Sequence, residues 1–183
     1  LLAVCLKYDL KCWADSGTLI GAVRHKGFIP WDDDIDMVMF RDDYDKLVKV
    51  ADKEFTYPYF FQTIYSDEYY GNRHAQIRNS ETAAIANPKS RFNQGIFIDI
   101  FVLDGVPDVP RTLQKHLRKV KVYKQLLKSV SKLISHFPKT LYRKCRWDKM
   151  LYARYEEVLR SAPVSETELV STLSLNYKTR IKN

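Results

Sequence analysis

Residues 95–103 alternate in a way that an extended strand uses best. Ile96, Ile98 and Ile100 share one face while Phe97, Asp99 and Phe101 share the other, so one carboxylate stands among aromatics in an otherwise apolar run. A sheet built from this strand has a side that must pair, neutralise or expose a charge. An acid facing solvent at a sheet edge is one reading of Asp99, and a share in an ion site is the other.

A second acidic feature sharpens the choice. Trp31-Asp32-Asp33-Asp34-Ile35-Asp36 follows the helix-breaking Pro30, and residues 35–40 read as a strand. In extended chain Asp34 and Asp36 point the same way, with Asp32 able to join them and Asp33 facing away. Like charges at this density repel unless solvent or a cation compensates them. Paired carboxylates suit Mg²⁺ or Mn²⁺, hard ions commonly completed by substrate phosphates; a solvated acidic turn is the plainer alternative. Asp99 joining Asp34 and Asp36 would satisfy both segments.

Upstream, Asp15-Ser16-Gly17-Thr18 places a glycine and hydroxyls where a helix opens, carrying Leu19, Ile20, Ala22 and Val23 and stopping near Gly27. Such a turn caps a helix and can also receive a phosphate on backbone amides. Arg24-His25-Lys26-Gly27 is a basic cluster between this turn and the acids, able to pair with phosphate oxygens or with the neighbouring Asp side chains. Arg78 is a further candidate phosphate or base contact, with a surface ion pair as its alternative. The four His and three Cys are too dispersed for a zinc pattern, and no Walker-type loop or nucleophile elbow occurs.

Charge is segregated along the 183 residues. Lys and Arg number 30 against 22 Asp and Glu, a formal +8, yet residues 111–160 hold 15 basic and three acidic side chains and residues 1–60 hold 11 of the acids. The organisation expected is a core over residues 1–110 and a basic helical region over 111–183. Helices are expected before a short strand within 1–14, over 44–55, over 113–136 and over 141–159. Further strands are expected within 57–65 and 74–78. At 45% apolar residues the chain is not globally disordered. Cys5, Cys12 and Cys145 read as buried free thiols of a reducing cytoplasm. No apolar run reaches the roughly 18–20 residues of a membrane span, and no leader of signal type opens the chain. Starting at Leu1 and stopping at Asn183, it reads as a fragment.

The run from Asp15 through Gly17, Thr18, Gly21, Arg24, Gly27, Pro30 and Trp31 to Asp36 closely resembles the signature of the LicD family, phosphocholine transferases related to fukutin and fukutin-related protein. Residues 74–82, 95–101 and 103–107 resemble that family too. The resemblance implies an α/β fold of α+β type, a nucleotidyltransferase-like mixed sheet flanked by helices, with a basic helical part at the C-terminus that is expected to be incomplete here. It implies that Ser16, Gly17 and Thr18 hold a nucleotide phosphate and that Asp34, Asp36 and Asp99 are catalytic and hold Mg²⁺ or Mn²⁺. Asp32 is similar to an additional family acid and is a further candidate ligand. Arg24, His25, Lys26 and Arg78 are the expected substrate contacts.

The implied reaction moves a phospho-substituent, phosphocholine from CDP-choline first among them, onto a hydroxyl of a cell-surface glycan such as lipopolysaccharide or a teichoic-acid-type acceptor, releasing CMP. Ribitol phosphate, phosphoethanolamine and nucleotidyl transfer are the alternatives. Trp13 and Trp31 could box a quaternary ammonium, although core packing is the commoner task of such residues. The basic helices fit an anionic membrane surface, which would place the protein in the cytoplasm at a membrane's inner face, or they form a solvated face. A non-enzymatic module binding membrane or nucleic acid through residues 111–160 is the competing class, with nucleic acid the less expected partner.

Overall fold

In the computed structural model, which describes residues 1–134, 146–173 and 179–181, α1 (Leu2–Lys7) leads into the two-residue β1 (Trp13–Ala14). Next, α2 (Ser16–Ile20) continues as a wider π-type turn (Gly21–His25), and β2 (Asp36–Phe40) passes directly into α3 (Arg41–Glu54). Three strands follow, β3 (Tyr59–Gln62), β4 (Ala75–Asn79) and β5 (Ile96–Val106). The rest comprises α4 (Pro110–Ile134), α5 (Trp147–Arg160), a 3-10 turn (Val164–Glu166), β6 (Leu169–Ser171) and β7 (Thr179–Ile181). The class is α/β with a mixed sheet.

Contacts divide the chain into Leu1–Leu103 and Asp104–Asn183. In the first unit the strand order is β1-β2-β5-β4-β3, with β2 and β5 parallel and the other neighbours antiparallel. Alternation sorts the side chains. Met39, Ile100, Ala75, Ile77 and Phe61 lie on one face and join Leu47, Ala51 and Phe55 of the α3 segment and Val4, Cys5 and Leu10 near α1 in a single buried cluster. Asp36, Asp99, Gln76 and Gln62 lie on the other. Register lines them up, because Asp36 pairs with Asp99, Asp99 with Gln76, and Gln76 with Gln62. The amphipathic spacing of Tyr44, Leu47, Ala51 and Phe55 explains why α3 covers the apolar face.

In the second unit, Asp104–Val106 pair antiparallel with β6, and β6 with β7. Gly105 is required by space, since a Cβ there would lie 2.4 Å from the Ala162 carbonyl oxygen. Helices α4 and α5 pack on each other, with Val120, Leu127, Tyr152, Tyr155 and Leu159 buried. Pro110 opens α4, where its missing N–H costs nothing. The expected helical residues 135–136 and 141–145, and Cys145, lie outside the described residues. Among the described residues no helix is long and apolar enough to cross a membrane.

Observed elements differ from the sequence expectation mainly at their ends. Helix α3 begins at Arg41, three residues before the first apolar position, because its first turn is polar and carries Asp42 and Asp43 near the positive end of the helix dipole. Strand β5 runs three residues further, through Asp104-Gly105-Val106. Strands β6 and β7 are three residues each, too short to show a period. Cys5 is buried, Cys12 half-buried, and both are free thiols.

Candidate active site

Two strand segments far apart in sequence bring the acids together. The Asp99 amide donates to the Ile35 carbonyl at 2.8 Å, and Asp36 stands opposite Asp99 in the parallel pairing of β2 and β5. Carboxylate oxygens of Asp34, Asp36 and Asp99 lie within 4.8 Å of one another. Asp32, Asp33 and Asp34 meet the same measure, and the Asp32 Oδ2 is buried with no hydrogen-bond partner. Burial first, then the charges of Asp34, Asp99 and Asp32, push the Asp36 carboxyl up to about 6. Burial, followed by Asp32 and Asp99, also raises Asp34. This is a donor set short of positive charge, and all of its donors are hard oxygens. The set therefore fits a divalent cation of the Mg²⁺ class.

The glycine turn is docked on these acids. Thr18 Oγ1 accepts the Asp36 amide at 2.8 Å, and the Asp15 amide donates to the Asp36 carbonyl at 3.0 Å. A Cβ on Gly17 would lie 2.2 Å from Asp32 Oδ2, so only glycine lets that carboxylate approach. Gly21 faces the Gly27 carbonyl in the same way, at 2.6 Å. Ser16 takes φ 47°, a left-handed conformation that a serine adopts only when its surroundings impose it. Lys26, at φ 58°, ends the π-type turn one residue before the expected stop.

The other sequence candidates fall in different places. Thr18, Ala22, Lys26, Gly27 and Phe28 line a cavity of about 350 Å³ beside the turn. Arg24 and His25 are exposed, Arg24 Nε donating to His25 Nδ1 at 3.3 Å, and the His25 ring meets Trp31 edge-on at 6.2 Å. Trp13 meets Phe40 edge-on at 5.1 Å, and both tryptophans are exposed, Trp13 at 41% and Trp31 at 78%.

Arg78 lies inside the unit, not in the surface ion pair of its alternative reading. It is 4% exposed, and its guanidinium donates to Gln62 Oε1, to the Gly95 carbonyl at 2.6 Å and to Gln76 Oε1, with the Phe97 ring 4.6 Å away. Each of its three nitrogens thus has a hydrogen-bond partner inside the unit. Burial also lowers its pKa.

His74 and Gln76 were missed. Gln76 Nε2 donates to Asp99 Oδ1 at 2.6 Å, and His74 Nε2 lies 3.2 Å from the same oxygen while its ring packs on Phe101 at 4.7 Å. A signal existed: His74, Gln76 and Arg78 are spaced by two, so one face of a strand carries all three.

The model of the LicD/FKTN/FKRP nucleotidyltransferase domain matches residues 9–135. This chain belongs to the LicD family. It is 40% identical over 119 residues to the lipopolysaccharide cholinephosphotransferase LicD of Haemophilus influenzae, covering 64% of this chain and 44% of that protein. An uncharacterized protein of Rickettsia prowazekii is 33% identical over 102 residues, 56% of this chain and 35% of its own length. The chain thus spans less than half the length of these curated relatives. The LicD match contains the glycine turn and Asp32, Asp34, Asp36 and Asp99, the residues that the structure gathers.

Proposed function

We propose that this LicD-family chain carries the metal-binding core of a phosphotransferase that moves phosphocholine from CDP-choline to a hydroxyl of a cell-surface glycan, releasing CMP. The observation that carries the reading is the cluster of Asp34, Asp36 and Asp99 beside the Ser16-Gly17-Thr18 turn. The name of the Haemophilus relative supports the choice of lipopolysaccharide as acceptor class and of choline as head group. A teichoic-acid-type acceptor has the same chemistry.

Asp34, Asp36 and Asp99 would hold Mg²⁺ or Mn²⁺, with Asp32 as a further ligand. The bound ion would supply neutralisation of charge on the diphosphate. Lys26, lining the cavity beside Thr18, offers a cation to the phosphate oxygens. In the transfer the acceptor hydroxyl oxygen bonds to the phosphorus bearing choline. The bond from that phosphorus to the bridging oxygen breaks, CMP leaves with that oxygen, and the hydroxyl proton passes to a carboxylate such as Asp34 or Asp99.

The test is release of CMP, followed by mass spectrometry, from CDP-choline, CDP-ethanolamine and CDP-ribitol with Mg²⁺ and a glycan acceptor, with Asp36→Asn as control. Release from one donor that is lost in the variant establishes the transferase and names its head group. Nucleotide found on the acceptor would replace the reading with nucleotidyl transfer.

One further observation favours a lipid-bound acceptor. Helix α4 carries eight Lys and Arg and no acid, and Val122, Leu126 and Leu133 are about half exposed along one shoulder of it. Apolar residues among bases suit an anionic bilayer better than nucleic acid. Co-sedimentation with phosphatidylglycerol vesicles, absent with phosphatidylcholine alone, checks this contact.

A further inference from the structure

A buried chain of hydrogen bonds stands behind the acidic cluster, and it has two matching arms. At its centre Arg78 donates through Nε to Gln62 Oε1 and through Nη2 to Gln76 Oε1. On one arm Gln62 Nε2 donates to Asp67 Oδ2 at 2.8 Å and to the Asn93 carbonyl at 3.0 Å. On the other, Gln76 Nε2 donates to Asp99 Oδ1 at 2.6 Å. Gln62, Gln76 and Arg78 are 0%, 3% and 4% exposed.

Chemistry dictates how each amide lies. A guanidinium has donors only and a carboxylate acceptors only, so each amide must turn its oxygen to Arg78 and its NH₂ to the acid. Arg78 therefore selects the rotamer in which Gln76 is a donor toward Asp99. The intervening amide also keeps the guanidinium off the carboxylate. A direct bidentate pair would occupy and neutralise Asp99, whereas the Gln76 amide holds Oδ1, which His74 Nε2 also approaches at 3.2 Å, without bringing a charge of its own.

We propose that Gln76 and Arg78 are positioning residues for the metal-binding carboxylate Asp99, Arg78 acting through Gln76. The inference rests on the metal reading above. The Asp67 arm is the internal control, because Asp67 otherwise accepts the amides of Asn93 and Tyr69, at 2.9 and 3.1 Å, and ties loops together.

The experiment compares Gln76→Met with Gln62→Met in this chain, measuring Mn²⁺ binding by the EPR signal of the free ion and thermal unfolding by calorimetry. Both variants remove one amide from a buried site and leave one Arg78 donor unpaired, so both should lower the melting temperature. Only Gln76→Met is expected to weaken Mn²⁺ binding, by about 10-fold or more, as loss of a partner behind a metal ligand does elsewhere. Arg78→Lys keeps a cation but not the fork, and should weaken Mn²⁺ binding less than Gln76→Met while leaving it measurably below wild type. If Gln76→Met does not fold, that lysine variant decides, and wild-type affinity in it overturns the inference. Equal affinity in Gln76→Met and Gln62→Met overturns it as well, while leaving the metal reading in place. A folded wild type without saturable Mn²⁺ binding removes both.

Discussion

The two faces of the sheet in Leu1–Leu103 are made from alternate residues of the same strands, yet opposite effects govern them. On one, Met39, Ile100, Ala75, Ile77 and Phe61 are buried with Leu47, Ala51 and Phe55, and each contact removes apolar surface from water. On the other, Asp36 and Asp99 are set side by side with Asp34, and burial raises the carboxyls of Asp34 and Asp36. The first face stabilises the fold. The second spends stability on holding charges together, and the amides of Gln76 and Gln62 with Arg78 keep it ordered. The comparison teaches that a residue's value here depends on its parity within a strand more than on its type.

The largest effect expected is on the apolar face. Leu47→Ala, at a site with no exposure, should cost about 2–5 kcal/mol in denaturant unfolding while turnover per folded molecule stays near wild type. Lost turnover with unchanged stability would break the division of labour. Asp36→Asn should do the reverse, lowering CMP release by about 10²–10³-fold, the range for removing one group that stabilises developing charge. Its metal-free melting temperature should hold or rise, since one of three crowded charges is gone.

A smaller effect tests how the turn is docked. Thr18→Val removes the acceptor of the Asp36 amide and should cost about 1–3 kcal/mol for the unpaired group, with weaker Mn²⁺ binding read in the same EPR titration. The smallest is a pH slope. Between the ordinary carboxyl value of 3.8 and about 6, the folded state keeps on Asp36 a proton that the unfolded chain has released. Metal-free stability should therefore decline as pH rises through that window and level off above it. Asp36→Asn should flatten the slope in thermal melts taken across it.

Much of the site was legible because it is built from local periods. Asp34 and Asp36 share a face by their spacing of two, and Asp99 stands out as the one acid between Phe97 and Phe101. The glycine turn was legible as well, down to Gly17 and Thr18. The fate of Arg78 was not, since a guanidinium on a strand looks the same whether its partners are phosphates or buried amides. His74 and Gln76 were passed over because an imidazole or an amide on a strand draws notice only once the acid it touches is known. The short strands β6 and β7 escaped because three residues complete too little of a period to read.

By itself the sequence determined which residues lie together on each strand face and which segment resembles a LicD signature, since both are properties of neighbouring positions. Only the tertiary structure decided that Asp36 faces Asp99, that Gln76 faces Asp99 on its other side, and that Arg78 turns inward. Register between strands distant in the chain is set by packing of the whole apolar face, and a shift of one residue would turn every one of these side chains to the opposite side.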